Sequence, residues 1–297
     1  MRSEYMKRLF LLCCLLLLWG GPARAQKPLR YRQWQLVFAD DFDTYRSVAD
    51  MEARGPWKFT PDNQRTLVGN PTEDQYYDQR NVELHDGTLH LIARPLAAPL
   101  LYPFKTTDGR DTTKLLHYES GWIDLRPDFQ TNAALGDTSR WPGNRGFELG
   151  LFEIRCKLGG GLGTWPAFWL YAGPTEIDVF EGGDPREASN NIHYSTKSTP
   201  YRAKGFRYTY PGPTDLTQGF HTFSVVWTKQ AVTYYLDRKW LRTVPASEIP
   251  TYPAPVDIIA NQAVNNFALP DTWPGGVPGQ RRSAFIIDYI KVYKARR

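Results

Sequence analysis

Apolar and polar residues alternate with a period of two along much of this chain, and long helical periodicity is missing. Phe152-Glu153-Ile154-Arg155-Cys156-Lys157-Leu158 shows the alternation most fully, with apolar residues at every second position and charges between. Such a segment predicts a half-buried antiparallel strand, with Cys156 a small core residue on the side of Phe152 and Ile154. Leu89 to Ala93, Phe223 to Trp227 and Val232 to Leu236 read as further strands. Phe285 to Val292, apolar on both faces, reads as a more buried one. Turn residues punctuate these runs, among them Asp86-Gly87 and Pro211-Gly212-Pro213. One short helix is predicted near Ser47 to Ala53. Many short strands with turns between them predict an all-β sandwich or barrel. Three stretches, roughly 95–117, 124–146 and 196–218, read as loops inserted into that scaffold.

The N-terminus breaks the pattern. Arg2, Lys7 and Arg8 precede an apolar run from Leu9 to Trp19, and Ala23-Arg24-Ala25 places small residues where a signal peptidase reads. Residues 1–25 are therefore read as an export signal and 26–297 as one large domain, secreted or periplasmic and without membrane contact once the signal is removed. The apolar run is too short for a good membrane span. Cys13 and Cys14 would leave with the signal, so Cys156 remains alone and no internal disulfide is expected. The 36 basic and 31 acidic residues become 32 and 30 after Arg2, Lys7, Arg8, Arg24 and Glu4 are removed, a net charge of about +2. Nothing in that balance points to a nucleic-acid partner, and a monomer is expected. Ten Trp and seventeen Tyr suit either a ring-rich core or a carbohydrate cleft.

The chemistry is concentrated in Thr175-Glu176-Ile177-Asp178-Val179-Phe180-Glu181-Gly182-Gly183. On a strand Glu176 and Asp178 share one face. Glu181, five residues beyond Glu176, would face the other way unless a β-bulge at Val179-Phe180 absorbs one residue. With the bulge the two glutamates lie about 13 Å apart along the backbone. Their side chains can lean together to the separation of about 5–5.5 Å used by glycosidases that retain anomeric configuration. Asp178 between them is placed to orient a neighbour or hold its proton. An exposed acidic face is the plainer reading, but three like charges on one strand face repel one another.

Other segments fall into an ordered set: Trp34 to Phe42, Asn81 to Leu89, Ser120-Gly121-Trp122-Ile123, Gly150 to Arg155, Gly163-Thr164-Trp165-Pro166-Ala167-Phe168-Trp169, Phe220 to Phe223 with Trp227, and Asp288 to Tyr293. Together with Glu176 to Glu181 they resemble glycoside hydrolase family 16, in its laminarinase- and agarase-type form with a bulged E-x-D-x-x-E motif. The resemblance implies a concanavalin A-like β-jelly roll, a sandwich of two antiparallel sheets with a concave substrate cleft, over the whole of 26–297. It implies Glu176 as nucleophile, Glu181 as general acid and then base, and Asp178 as helper to Glu176, with no cofactor needed for catalysis. Trp165 is expected as a sugar platform and His193 as a cleft histidine. Trp169 reads equally as platform or core ring. The resemblance also implies a structural calcium at Asp288, with backbone oxygens near Gly87, against the alternative of a solvated or paired carboxylate.

The sequence departs from the family's glucanases at Gly182-Gly183-Asp184-Pro185, at Asn261-Gln262-Ala263-Val264-Asn265-Asn266 and in the three insertions, so the polysaccharide substrate stays open. An endo-acting hydrolase of β-1,3- or mixed-linkage β-glucan is the leading expectation. A hydrolase of algal galactans (agar, porphyran or carrageenan) is the alternative, with Arg80, Arg186 and Lys197 as candidates to meet sulfates. A non-catalytic carbohydrate-binding jelly roll is a third. No G-x-S-x-G motif is present, and Gly159 to Gly163 lacks the Lys-Ser/Thr of a phosphate loop.

Overall fold

The computed structural model describes residues 27–61, 65–66, 70–105, 109–125, 146–172, 175–194, 202–203, 206–209, 215–248, 255–273 and 281–296. The expected export signal, nearly all of the 124–146 insertion and much of 196–218 lie outside the described residues.

The chain begins with β1 (Trp34–Asp40), a short helix α1 (Val48–Arg54), β2 (Trp57–Lys58) and β3 (Gln75–Tyr77). The hairpin of β4 (Val82–His85) and β5 (Thr88–Lys105) follows, then β6 (Asp111–Ser120), β7 (Trp122–Leu125) and β8 (Gly150–Lys157). Next come β9 (Thr164–Ala172), β10 (Thr175–Glu181), β11 (Glu187–Tyr194), β12 (Arg202–Ala203) and β13 (Phe206–Thr209). The chain closes with β14 (His221–Trp227), β15 (Ala231–Leu236), β16 (Lys239–Pro245), β17 (Asp257–Val264) and β18 (Ser283–Ala295). The first sheet has the order β16-β15-β14-β8-β18-β5-β6-β3, with β1 on β18 and β4 on β5. The second has the order β12-β11-β10-β9-β17-β7-β2, with β13 on β11. Neighbours are antiparallel except β3 and β6.

Alternation puts one face of each sheet into a shared core. Phe152, Ile154 and Cys156 of β8 are buried there as expected, with Phe223, Val225 and Trp227 of β14 beside them. The second sheet contributes Phe168, Leu170, Ile177 and Ile258. Phe180 of β10 reaches across the layer, with its ring centroid 4.3 Å from Phe223 and 5.8 Å from Phe285. Helix α1 starts where it was predicted, because Ser47 Oγ caps it by accepting from Asp50 N at 3.1 Å.

Three expectations change. The stretch 95–117 is not a loop: β5 runs on to Lys105 and returns as β6, pairing Leu100 with Leu116 and Tyr102 with Lys114. Pro95, Pro99 and Pro103 made it read as irregular, yet proline is tolerated in a ribbon whose outer edge needs no donor. Strand β18 is buried on one face only. Phe285, Ile287, Ile290 and Val292 enter the core, while Ile286 and Tyr289 are partly exposed on the outer face of the sheet. An irregularity between Ile287 and Tyr289 restores its parity. Finally, Glu153, expected on a solvated face, is 1% exposed. Its carboxylate accepts from the hydroxyls of Tyr31, Ser224 and Tyr289, which offsets its burial. Burial and the neighbouring Glu153 push the Tyr289 hydroxyl up to about 12.

Removing the ring that joins the sheets leaves a cavity in the middle of the core. Phe180→Ala is expected to lower the unfolding free energy by about 3–5 kcal/mol, measured by urea denaturation followed by tryptophan fluorescence.

Candidate active site

Strand β10 holds the three acids, and its register with both neighbours slips at the predicted place. Against β9, Asp178 pairs with Trp169 and Phe180 with Phe168, so Val179 has no partner of its own. Against β11, Asp178 pairs with Asn191 and Glu181 with Ser189, two residues opposite one. Val179 and Phe180 are both buried. The carbonyl that the bulge removes from the ladder is satisfied by a side chain, since Asn190 Nδ2 donates to Val179 O at 2.6 Å. Glu176, Asp178 and Glu181 consequently line one cavity of about 500 Å³ on the outer face of the second sheet.

His193 stands directly across from Glu176 on β11. Its Nε2 lies 3.1 Å from Asp178 Oδ2 and 3.7 Å from Glu176 Oε1. Glu181 is held from both sides: Trp165 Nε1 donates to its Oε2 at 3.0 Å, and Asn191 Nδ2 donates to its Oε1. Trp165, Ala167 and Trp169 alternate along the cleft-facing side of β9. Trp169 is both cleft wall and packed ring. Its Nε1 donates to Asn261 Oδ1 at 2.8 Å, and its ring meets Trp122 edge-on at 5.7 Å.

Burial dominates the electrostatics. It pushes Asp178 up to about 7, with Glu181 and Glu176 adding to the rise and His193 opposing it. Burial also raises Glu176, helped by Glu181 and opposed by His193. For His193 burial alone would lower the pKa, but the contact with Asp178 and the charges of the acids raise it overall. His193 and Asp178 therefore titrate as a coupled pair, with Glu176 beside them raised by the same burial.

Four contributors were not anticipated from the sequence. Glu73, 8% exposed, lines the same cavity and is bridged by backbone to Asn265. Burial raises its pKa, while Gln75 and Asn70 donate to it. Asn191 holds Glu181, Asn261 links Trp169 to the Tyr77 hydroxyl, and Phe267 lies at the cleft rim. No local pattern marks Glu73, whereas Asn261 falls in a segment that already departs from the family pattern.

The other candidates lie elsewhere. Arg80 is exposed and pairs with Asp78 at 3.0 Å and Glu119 at 3.5 Å. Arg186 is exposed outside the cleft lining, and Lys197 lies outside the described residues. Asp288 sits on the first sheet with its carboxylate bonded to Arg155. A guanidinium in that position repels a divalent cation, so Asp288 as arranged does not fit a calcium ligand. Among the described residues, Glu176, Asp178 and His193 are the group whose ligand atoms gather within 4.8 Å, and they belong to the cleft.

A two-sheet β-sandwich with a carboxylate-bearing bulged strand under an aromatic-walled cleft defines a class, the jelly rolls that act on carbohydrate. The sequence profile of Glycosyl hydrolases family 16 matches residues 113–291, and the chain belongs to that family. It is 27% identical over 277 residues to the endo-1,3-1,4-beta-glycanase EglC of Rhizobium meliloti, covering 86% of this chain. The chain spans about half of that relative, 51% of its length. It is 26% identical to a beta-glucanase of Rhodothermus marinus, over 88% of this chain and 85% of that one. Among solved structures, the laminarinase catalytic domain of Thermotoga maritima MSB8 superposes with a TM-score of 0.64 at 25% identity, over 89% of this chain and 100% of that chain.

The Asp178 carboxyl keeps its proton to about pH 7 in the fold, against 3.8 for an ordinary aspartate. A raised acid supports the fold below its unfolded pKa, and that support is lost as pH climbs from about 3.8 toward 7. Asp178→Asn should therefore melt above the wild type at pH 8, with the gap closing as the pH falls to about 4, measured by calorimetry across that range.

Proposed function

We propose that the chain is an endo-acting glycoside hydrolase that cuts β-1,3- or mixed-linkage β-glucan with retention of anomeric configuration. The observation that supports this most is the bulge of β10, which turns Glu176, Asp178 and Glu181 onto one open cavity between Trp165 and Trp169. A lectin has no need of that acid set.

In this reading Glu176 attacks the anomeric carbon as the glycosidic C–O bond breaks, and Glu181 gives its proton to the departing oxygen. The product is a glycosyl ester on Glu176. Glu181, now a carboxylate, takes a proton from water, whose oxygen attacks the anomeric carbon and releases Glu176. Trp165 and Asn191 fix the position of Glu181 throughout. Asp178, protonated up to about pH 7, sits beside Glu176 without adding a second charge and leaves Glu176 to carry the nucleophilic one. Trp165 and Trp169 offer ring faces and edges to the sugars, and His193 steadies the pair at the nucleophile. Glu181 gives one proton and recovers it from water, so this sequence calls for no cofactor.

Charge separates the glucan from sulfated galactans. Among the described residues, the cleft lining includes four acids and His193 but no Lys or Arg. A sulfate ester would meet carboxylates there rather than a cation. The names of the relatives at 26–27% identity, a glycanase of 1,3-1,4 linkages and a beta-glucanase, lend the same support. We further propose that residues 26–297 form the catalytic domain and that 1–25 direct its export; N-terminal sequencing of secreted protein tests this.

Glu176→Gln is expected to lower turnover of laminarin and lichenan by at least about 10⁴-fold while leaving oligosaccharide binding in place, read by reducing-end release and calorimetry. NMR of the first product should show the β-anomer. Turnover of agarose or carrageenan alone would sink the glucan assignment. Because Arg155 holds Asp288, a chelator should leave the thermal midpoint unmoved; a fall would restore the calcium reading.

A further inference from the structure

Beyond Trp165 the cleft opens into a second cavity of about 470 Å³. The two share Trp165, Asn265 and Phe267 but run in different directions. The cleft takes its lining from β17, β9, β10 and β11 in turn, so it crosses the strands of the second sheet. The side cavity is lined by the turn that enters β9, by Gly183 to Pro185 after β10, and by Asn265 and Phe267 after β17. Strand β9 is antiparallel to both β10 and β17, so all three segments lie at the same end of the strands. The side cavity thus leaves the cleft along the strand direction, next to Trp165 and the carboxyl of Glu181 that it holds. A linear chain lying across the strands passes it by. A group attached to that chain points into it.

The lining says what such a group would be. Its floor is bare backbone at Gly161 and Gly163, with φ of 109° and 85°. A Cβ on Gly163 would come within 2.3 Å of Ala268 Cα, because Asn265 N and Leu269 N bond to the carbonyls of Gly163 and Leu162 at 2.8 and 3.1 Å. This packing brings the segment after β17 close over the glycine turn and leaves Phe267 and Leu162 about half exposed, at 55% and 50%. Among the described residues, Asp184 is the one charged side chain of the lining, and no Lys or Arg is part of it. Apolar walls with an aromatic rim suit the C–H face of a sugar, and the lone carboxylate excludes an anionic substituent.

We propose that this side pocket takes an uncharged monosaccharide branch carried by a polysaccharide unit lying near Glu181. The proposal rests on the endo-glucanase reading and narrows it to substrates bearing neutral branches. Two kinds of β-1,3-glucan oligosaccharide of equal length test it: a linear one, and a set carrying one glucosyl branch on each unit in turn. The wild type, Leu162→Trp, which fills the side pocket from its rim, and Phe267→Ala, which removes a wall, are compared by kcat/KM. For at least one branch position, the branched-to-linear ratio should fall about tenfold in Leu162→Trp and in the same direction in Phe267→Ala. A wild type that cuts the linear chain but refuses every branched one overturns the pocket. So does a ratio that stays level in both variants while their melting shows them folded. A wild type that cuts neither chain overturns the endo-glucanase reading itself, and the branch proposal with it.

Discussion

Two consecutive residues of β10, Val179 and Phe180, take up a single step of the strand beside them. The site depends on that irregularity. A regular strand would drive Glu181 into a layer filled by Phe223 and Phe285, where an unpaired carboxylate has no partner. The bulge is held by the same core. Phe180 is anchored between those rings, and Asn190 supplies the donor that the displaced Val179 carbonyl needs. Packing on one side of the sheet thereby sets the direction of a carboxylate on the other.

The electrostatics follow from how deeply each acid is set. Asp178 is buried at the centre of the sheet and keeps its proton near neutrality, while Glu176 and Glu181 sit partly open to the cleft. Three acids on one strand face would repel if all were charged. Burial of the middle one relieves the repulsion, and His193, fixed opposite Glu176 by the β10–β11 ladder, supplies a compensating proton. Glu73 adds another buried carboxyl from a different part of the chain. The result is a cleft lined with acids, aromatic rings and amides, which suits neutral sugars better than sulfated ones.

The rigid and the variable parts of the site divide by element. The central strands β9, β10 and β17 hold the acids and tryptophans through long ladders, that of β9 with β17 regular and that of β9 with β10 broken at the bulge. The segments at one end of those strands, from Leu162 and from Asn265 to Thr272, build the side pocket. In the proposed reading, the choice between linear and branched substrates is made where that framework ends, while the strands themselves carry the acids.

Alternation alone determined the strands β8, β14 and β15, the burial of Cys156 and the shared face of Glu176 and Asp178, since each depends only on period-two geometry. The bulge could be inferred from the spacing of Glu181, as the count of residues leaves one too many for a regular strand. Three prolines concealed the β5–β6 ribbon, and a charge concealed the burial of Glu153, because proline and glutamate signal loop and surface only in the absence of partners. Tertiary structure alone decided that Tyr31, Ser224 and Tyr289 would supply those partners, that Arg155 would take Asp288, and that Glu73 and Phe267 would line one cavity with the acids of β10. Those contacts join residues far apart in the chain, and their geometry is set by how two sheets stack, which no local pattern encodes.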